Sequence, residues 1–220
     1  MPPALIVFDL DGTLIDSAAD LASAINAMLA DLGCDPLSVP EVRRMIGDGV
    51  AMLVGRALAA RHCDAADPTR AAEIFMRHYE SDATSLTTAF PGVAAALRVL
   101  RSAGIPLAVC TNKPARITAG ILSSLGLAQY FARVIGGDSL PYRKPDPRVL
   151  LALLEAFAAS PRDSVLVGDS EVDAATAQAA GVPFVLMKHG YRRGPSADIA
   201  CMAALESFAE LPGLLRTPPG

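Results

Sequence analysis

The stretch Val7-Phe8-Asp9-Leu10-Asp11-Gly12-Thr13-Leu14 carries an apolar run straight into two carboxylates. Leu5 to Phe8 is long enough for a buried strand and far too short to cross a membrane. Carboxylates are seldom fully buried unless paired or bound to a metal, so a strand ending on Asp9 and Asp11 is not built for packing alone. Two residues apart on an extended chain, their side chains reach one point only if the backbone turns just beyond the strand. Gly12 permits that turn. A plain strand end with a surface Asp-Gly turn has the same local sequence, so the decision rests on the rest of the chain.

The chain has 220 residues, room for one large domain or a domain with an insert. With 52% apolar residues it can bury a sizeable core, which argues against disorder. Its net charge of −4 argues against nonspecific binding of nucleic acid. No stretch has the apolar length of a membrane helix, and no basic region precedes the first apolar run, so neither a membrane span nor a signal peptide is expected. Cys34, Cys63, Cys110 and Cys201 are scattered without C-x-x-C spacing. That pattern predicts neither a zinc site nor a disulfide framework, and a cytoplasmic setting. Cys110 reads as a small core residue. Only three lysines, Lys113, Lys144 and Lys188, stand against sixteen arginines. Where arginine is the default cation, a retained lysine is a candidate for a site that needs a compact point charge.

Beyond Leu14 the spacing turns helical. Ser17 with Asp20 resembles a capping box, and Leu21, Ile25, Met28, Leu29 and Leu32 repeat at helical intervals up to Gly33. A loop with Pro36 and Pro40 leads to a short helix ending near Gly47, and a second helix starts near Asp48-Gly49. Asp67-Pro68 reads as an N-cap and first-turn proline. His62 and His78 fall in helical stretches and read as structural or surface residues. From Ile15 to Thr88 the pattern holds helices and no convincing strand, with eleven acids, six arginines and no lysine. This predicts an inserted helical bundle.

After Phe90-Pro91-Gly92, strands and helices alternate. The expected order is a helix over 93–102, a strand from Ile105 to Cys110, a helix around 115–124 and a weak strand near Val134-Ile135. A helix over about 147–158 follows, then strand Val165-Leu166-Val167, a helix over about 172–180 and a last strand from Pro183 to Leu186. Such alternation implies right-handed crossovers and a doubly wound parallel sheet, an α/β fold, with ligands at the carboxyl ends of the strands. The tail from Arg216 is expected to fray.

Those ends are where the polar residues gather. The first strand delivers Asp9 and Asp11, the second Thr111-Asn112-Lys113-Pro114, and the fourth Gly168-Asp169-Ser170 with Asp173 beyond. Arg143-Lys144-Pro145 precedes a helix between the third and fourth. Each piece alone is ordinary turn or N-cap chemistry. Together and in this order they resemble the four motifs of the haloacid dehalogenase-like hydrolases. The resemblance runs from residue 7 to about 181. Arg43-Arg44-Met45-Ile46-Gly47-Asp48-Gly49-Val50, Thr111-Asn112-Lys113-Pro114 and Gly190-Tyr191 resemble the phosphoglycolate phosphatase-like subgroup. The resemblance implies a core domain of residues 1–14 and 89–220 and a helical cap domain of residues 15–88.

It also implies roles. A phosphate monoester is a dianion that repels a carboxylate nucleophile, and a divalent cation among oxygen ligands, Mg²⁺ by preference, must separate the two. The implied ligands are the Asp9 side chain, the Asp11 backbone carbonyl and Asp169, with Asp173 orienting them. Asp9 would attack phosphorus, and Asp11 would act as general acid and then base. Thr111 and the backbone amide of Asn112 would hold phosphate oxygens, and Lys144 would offset the negative charge. Lys113 has two readings, a group at the site and a plain surface lysine. Arg43 has two as well, a reader of a substrate carboxylate and a solvated helix residue. Gly47 and Gly49 flank a turn that could lie over the site.

The expected activity is hydrolysis of a small phosphorylated metabolite, 2-phosphoglycolate first. A dehalogenase would lack Asp11, and a phosphonate hydrolase needs a cap lysine that this chain does not have. A phosphosugar mutase of the same superfamily stays open, as does a noncatalytic phosphate-binding or regulatory domain. The sequence leaves the oligomeric state unknown.

Overall fold

The computed structural model describes residues 2–63 and 66–216; of the tail expected to fray, residues 217–220 lie outside them. Its organising layer is a six-stranded parallel sheet. Strand β1 (Leu5–Phe8) lies at its centre, with β4 (Leu107–Cys110) on one side and β6 (Ser164–Gly168) on the other. Beyond β4 lies β5 (Arg133–Ile135), and beyond β6 lie β7 (Phe184–Met187) and β8 (Ala203–Leu205). All adjacent pairs are parallel.

Every residue of β1 is buried because both faces of the sheet are covered. Side chains alternate between faces along a strand. Ile6 and Phe8 pack with Val109, Val167 and the apolar sides of α5 (Val93–Ser102) and α6 (Ala115–Ser124). Leu5 and Val7 pack oppositely, against α7 (Arg148–Ala156) and α8 (Glu171–Ala180). A helix unforeseen in the sequence, α9 (Leu211–Arg216), contributes Leu211 and Leu215 to the first layer. This is the doubly wound α/β fold. Pro183 to Leu186 is not the last strand, since Ala203–Leu205 adds an edge. Its Ala-Ala-Leu sequence carries no β-branched residue to announce it.

Between Asp16 and Thr88 lie α1 (Ala18–Asp31), α2 (Val39–Arg43), α3 (Val50–Ala60) and α4 (Pro68–Ser81). Leu21, Ile25, Met28, Leu53, Phe75 and Tyr79 bury the shared faces of α1, α3 and α4. Asp67 caps α4 by accepting from the Thr69 amide at 2.9 Å. The expectation of helices alone from Ile15 to Thr88 needs correction. The chain leaves and re-enters the sheet region through a small antiparallel ladder, β2 (Ile15–Asp16) against β3 (Thr88–Ala89).

The predicted Ser17–Asp20 capping box does not form, because both side chains have longer-range partners. The Ser17 hydroxyl donates to Asp11 Oδ1 at 2.5 Å. Asp20 accepts from the Leu86 amide at 3.0 Å, the Thr87 amide at 2.8 Å and the Thr87 hydroxyl at 2.6 Å, tying the start of the helical segment to its end. His62 sits in the turn after α3 at φ 53°, not in a helix. His78 lies in α4 and pairs with Asp31. The expected absence of a disulfide is also overturned. Cys34 follows α1, Cys63 follows α3, and the packing of these turns joins them at a Cα separation of 6.5 Å. Sequence spacing could not reveal a pair 29 residues apart. Cys110 is buried, as expected, and burial pushes its thiol up to about 12.

Candidate active site

Strand register assembles the site. Phe8 lies opposite Val109 on one side and Val167 on the other, so the residues just beyond these positions emerge side by side. They are Asp9 after β1 and, one residue further along, Thr111 after Cys110 and Asp169 after Gly168. Neighbouring strands run to opposite sides of β1, which makes this end of the sheet a topological switch point.

Three buried carboxylates, Asp9, Asp169 and Asp173, have oxygens within 4.8 Å of one another. Lys144 Nζ donates to Asp9 Oδ1 at 2.7 Å and to Asp173 Oδ1 at 2.6 Å. Asp169 accepts from the Thr13 hydroxyl at 2.8 Å and the Tyr191 amide at 2.6 Å. The second oxygen of Asp173 takes the Ser170 hydroxyl at 2.7 Å, in a capping box that starts α8. The cluster is crowded. A Cβ on Gly190 would lie 2.1 Å from the Asp169 Cβ, and one on Gly12 (φ +86°) would lie 2.4 Å from Asp169 Oδ2.

One ammonium does not balance three carboxylates. Burial raises the Asp9 carboxyl to about 7, with Asp173 and Asp11 adding to the rise and Lys144 opposing it. Burial, then Asp173 and Asp9, push Asp169 well above the usual carboxylate range. Burial works against the Lys144 charge, but Asp173 and Asp9 more than offset it, and its pKa is raised. An all-oxygen cluster short of positive charge is the donor set that hard divalent cations favour, so the residues fit such an ion.

A second charged pair adjoins the first. Lys113 Nζ lies 2.8 and 3.0 Å from the two Asp11 oxygens and 4.9 Å from the centre of the Tyr79 ring. Lys113 is buried, which excludes its surface reading. The Thr111 oxygen accepts the Lys113 amide at 3.2 Å. The Asn112 side chain donates to the carbonyls of Gly47 and Lys144, each at 3.0 Å. It therefore links the turn between α2 and α3 to the loop carrying Lys144. Gly47 and Gly49 do lie over the site.

A pocket opens between this strand end and the helical segment. Its floor includes Asp9, Asp11, Thr111, Asn112 and Lys113, and its roof includes Ile46, Val50, Leu53, Phe75 and Tyr79. Arg43 is not among the lining residues. Its guanidinium donates to the His189 carbonyl at 3.1 Å and covers the Tyr191 ring at 4.8 Å, so it joins the helical segment to the core. Sequence reasoning missed Thr13, Ser17 and Tyr79 at the site. Tyr79 shares the helical spacing of Ile74 and Phe75 and is indistinguishable from a packing residue in the sequence.

Comparison with known proteins gives a consistent result. The sequence profile of the family described as haloacid dehalogenase-like hydrolase matches residues 6–187. A Cereibacter sphaeroides protein named phosphoglycolate phosphatase is 49% identical over 215 residues, spanning 96% of this chain and 97% of its own. A solved structure described as a predicted phosphoglycolate phosphatase from Haemophilus somnus 129PT superposes with a TM-score of 0.92 at 32% identity, over 96% of this chain and 97% of that one. CbbY from Rhodobacter sphaeroides, solved in complex with phosphate, superposes with a TM-score of 0.76 at 25% identity, over 95% and 96% of the two chains.

Proposed function

The chain belongs to the haloacid dehalogenase-like hydrolases, and on that footing we propose that it is a Mg²⁺-dependent phosphatase whose substrate is 2-phosphoglycolate. The observation that carries this reading is the junction of Asp9, Lys144 and Asp169 at one switch point, beside Asp11 and Thr111. The 49% identity to a protein named phosphoglycolate phosphatase supports the substrate.

In this reading, Asp9 and Asp169 hold the ion with their carboxylates, together with the Asp11 backbone carbonyl. Asp173 orients them, since its oxygens are engaged by Lys144 and Ser170. When bound, Mg²⁺ offsets the charge of the phosphoryl group that would otherwise repel a carboxylate. Asp9 attacks phosphorus through its carboxylate and becomes an aspartyl-phosphate. Lys144 fixes the orientation of Asp9 and balances its charge. Asp11 gives its proton to the leaving alkoxide, then takes one from the water that hydrolyses the intermediate. The Thr111 hydroxyl and the Asn112 backbone amide hold phosphoryl oxygens. The apolar roof limits water around the ester.

The test is phosphate release from 2-phosphoglycolate, sugar phosphates and nucleoside monophosphates, with Mg²⁺ and with chelator. Mg²⁺-dependent release that favours phosphoglycolate supports the proposal. Equal release from all esters keeps the reaction and removes the substrate. No release from any ester overturns both.

A further inference from the structure

We propose that Lys113 and Tyr79 together form the subsite that binds the substrate's carboxylate, an inference that deepens the phosphoglycolate reading and rests on it. Both residues line the pocket, Lys113 from the segment after β4 and Tyr79 from α4. An ammonium has three N–H donors, and Asp11 is the one carboxylate bonded to Lys113 among the described residues. The Tyr79 hydroxyl lies within electrostatic reach of Lys113. Although the residue is only 1% exposed, that hydroxyl makes no hydrogen bond of normal geometry among the described residues. The Lys113 ammonium can only donate, so it offers the Tyr79 O–H proton no acceptor; a buried hydroxyl in that state is unfavourable, and an acceptor brought in by a ligand relieves it. The subsite thus presents a cation and an O–H donor, the complement of an acceptor-only carboxylate.

Position selects the same group. Asp11 serves the leaving oxygen, and in phosphoglycolate one methylene separates that oxygen from the carboxylate. The carboxylate must therefore lie next to Asp11, where Lys113 is. The rest of the roof, from Leu21 to Ile46, Val50, Leu53 and Phe75, has no side-chain donor or acceptor. Sugar hydroxyls or a base edge would lose water there and gain no partner. Arg43 is engaged by His189 and Tyr191 instead.

The experiment compares kcat/KM for 2-phosphoglycolate and for ethyl phosphate, which has the same chain length and no carboxylate, at saturating Mg²⁺. The wild-type protein should prefer phosphoglycolate by about a hundredfold, the order supplied by hydrogen bonds to a charged group. Lys113→Met should reduce the preference to within about threefold, and Tyr79→Phe should reduce it by about tenfold, chiefly through KM. Circular dichroism checks that each variant folds; if Lys113→Met does not, Tyr79→Phe, which removes one oxygen, decides. An undiminished preference in Tyr79→Phe overturns the proposal. So does an equal loss on both substrates in Lys113→Met, which would confine Lys113 to Asp11. A wild-type enzyme that hydrolyses both esters equally rejects the subsite and leaves the phosphatase intact, whereas one that hydrolyses neither rejects the function on which the subsite rests.

Discussion

Lys144 Nζ lies 2.7 Å from Asp9 Oδ1, a buried ion pair between residues 135 apart in the sequence. The same ammonium holds Asp173 at 2.6 Å. Lys144 is thus the counter-charge for two carboxylates, and its removal acts on both. Lys144→Met should lower kcat by about 10²–10³-fold, typical of losing a charge-stabilising group. It should also cost about 3–5 kcal/mol of stability, because it leaves buried carboxylates uncompensated. Steady-state kinetics and urea unfolding read the two effects separately. A variant with normal kcat would remove Lys144 from the chemistry.

The raised carboxyl of Asp9 ties stability to pH. Its folded pKa is about 7, and its unfolded value is about 4. Between these limits, without a divalent ion, the folded protein holds a proton that the unfolded chain has lost, so rising pH destabilises the fold. Asp9→Asn has no such proton. The thermal midpoint of the metal-free wild type relative to Asp9→Asn should be highest near pH 4 and decline toward pH 7. Mg²⁺ should raise the wild-type midpoint more at pH 7 than at pH 5, since it competes with the proton. A wild-type-to-variant difference independent of pH would contradict this.

Gly190 is a packing requirement of the acidic cluster. A methyl group there would sit 2.1 Å from the Asp169 Cβ and 2.2 Å from its Oδ2. Gly190→Ala should displace Asp169, cost about 1–3 kcal/mol as an overpacked site, and weaken the thermal shift produced by Mg²⁺. An unchanged Mg²⁺ titration in this variant would show that the Asp169 position is not needed for the ion.

Asp20 closes the helical segment by accepting three donors from Leu86 and Thr87. In Asp20→Ala all three lose their acceptor, and the two buried ones, on Thr87, cost about 1–3 kcal/mol each before relaxation. Urea unfolding should move to a clearly lower midpoint. A midpoint within error of the wild type would assign the closure to the β2–β3 ladder alone.

Legibility of the sequence followed burial. Parallel strands covered on both faces read as continuous apolar runs, and polar residues at their ends are conspicuous. Asp9, Thr111 and Asp169 could therefore be located as strand-end residues before any contact was known. Long-range competition was invisible. Ser17 and Asp20 satisfy a local capping rule, yet Asp11 and Thr87 take their side chains. Tyr79 repeats with Phe75 and stacks on its ring as a packing residue would, while it also lines the pocket. Cys34 and Cys63 meet only because α1 and α3 end near each other. Arg43 was legible as a cation but not as the partner of a carbonyl 146 residues away.

The central claim is that Asp9 carries the phosphoryl group, and acid quenching during turnover tests it most directly. Wild-type protein mixed with 2-phosphoglycolate and Mg²⁺, quenched and digested, should yield a peptide containing Asp9 that is heavier by one phosphoryl group. Asp9→Asn should yield no such adduct and release no phosphate. Phosphate release by Asp9→Asn at the wild-type rate, or a phosphoryl group recovered on a different residue, would contradict the account.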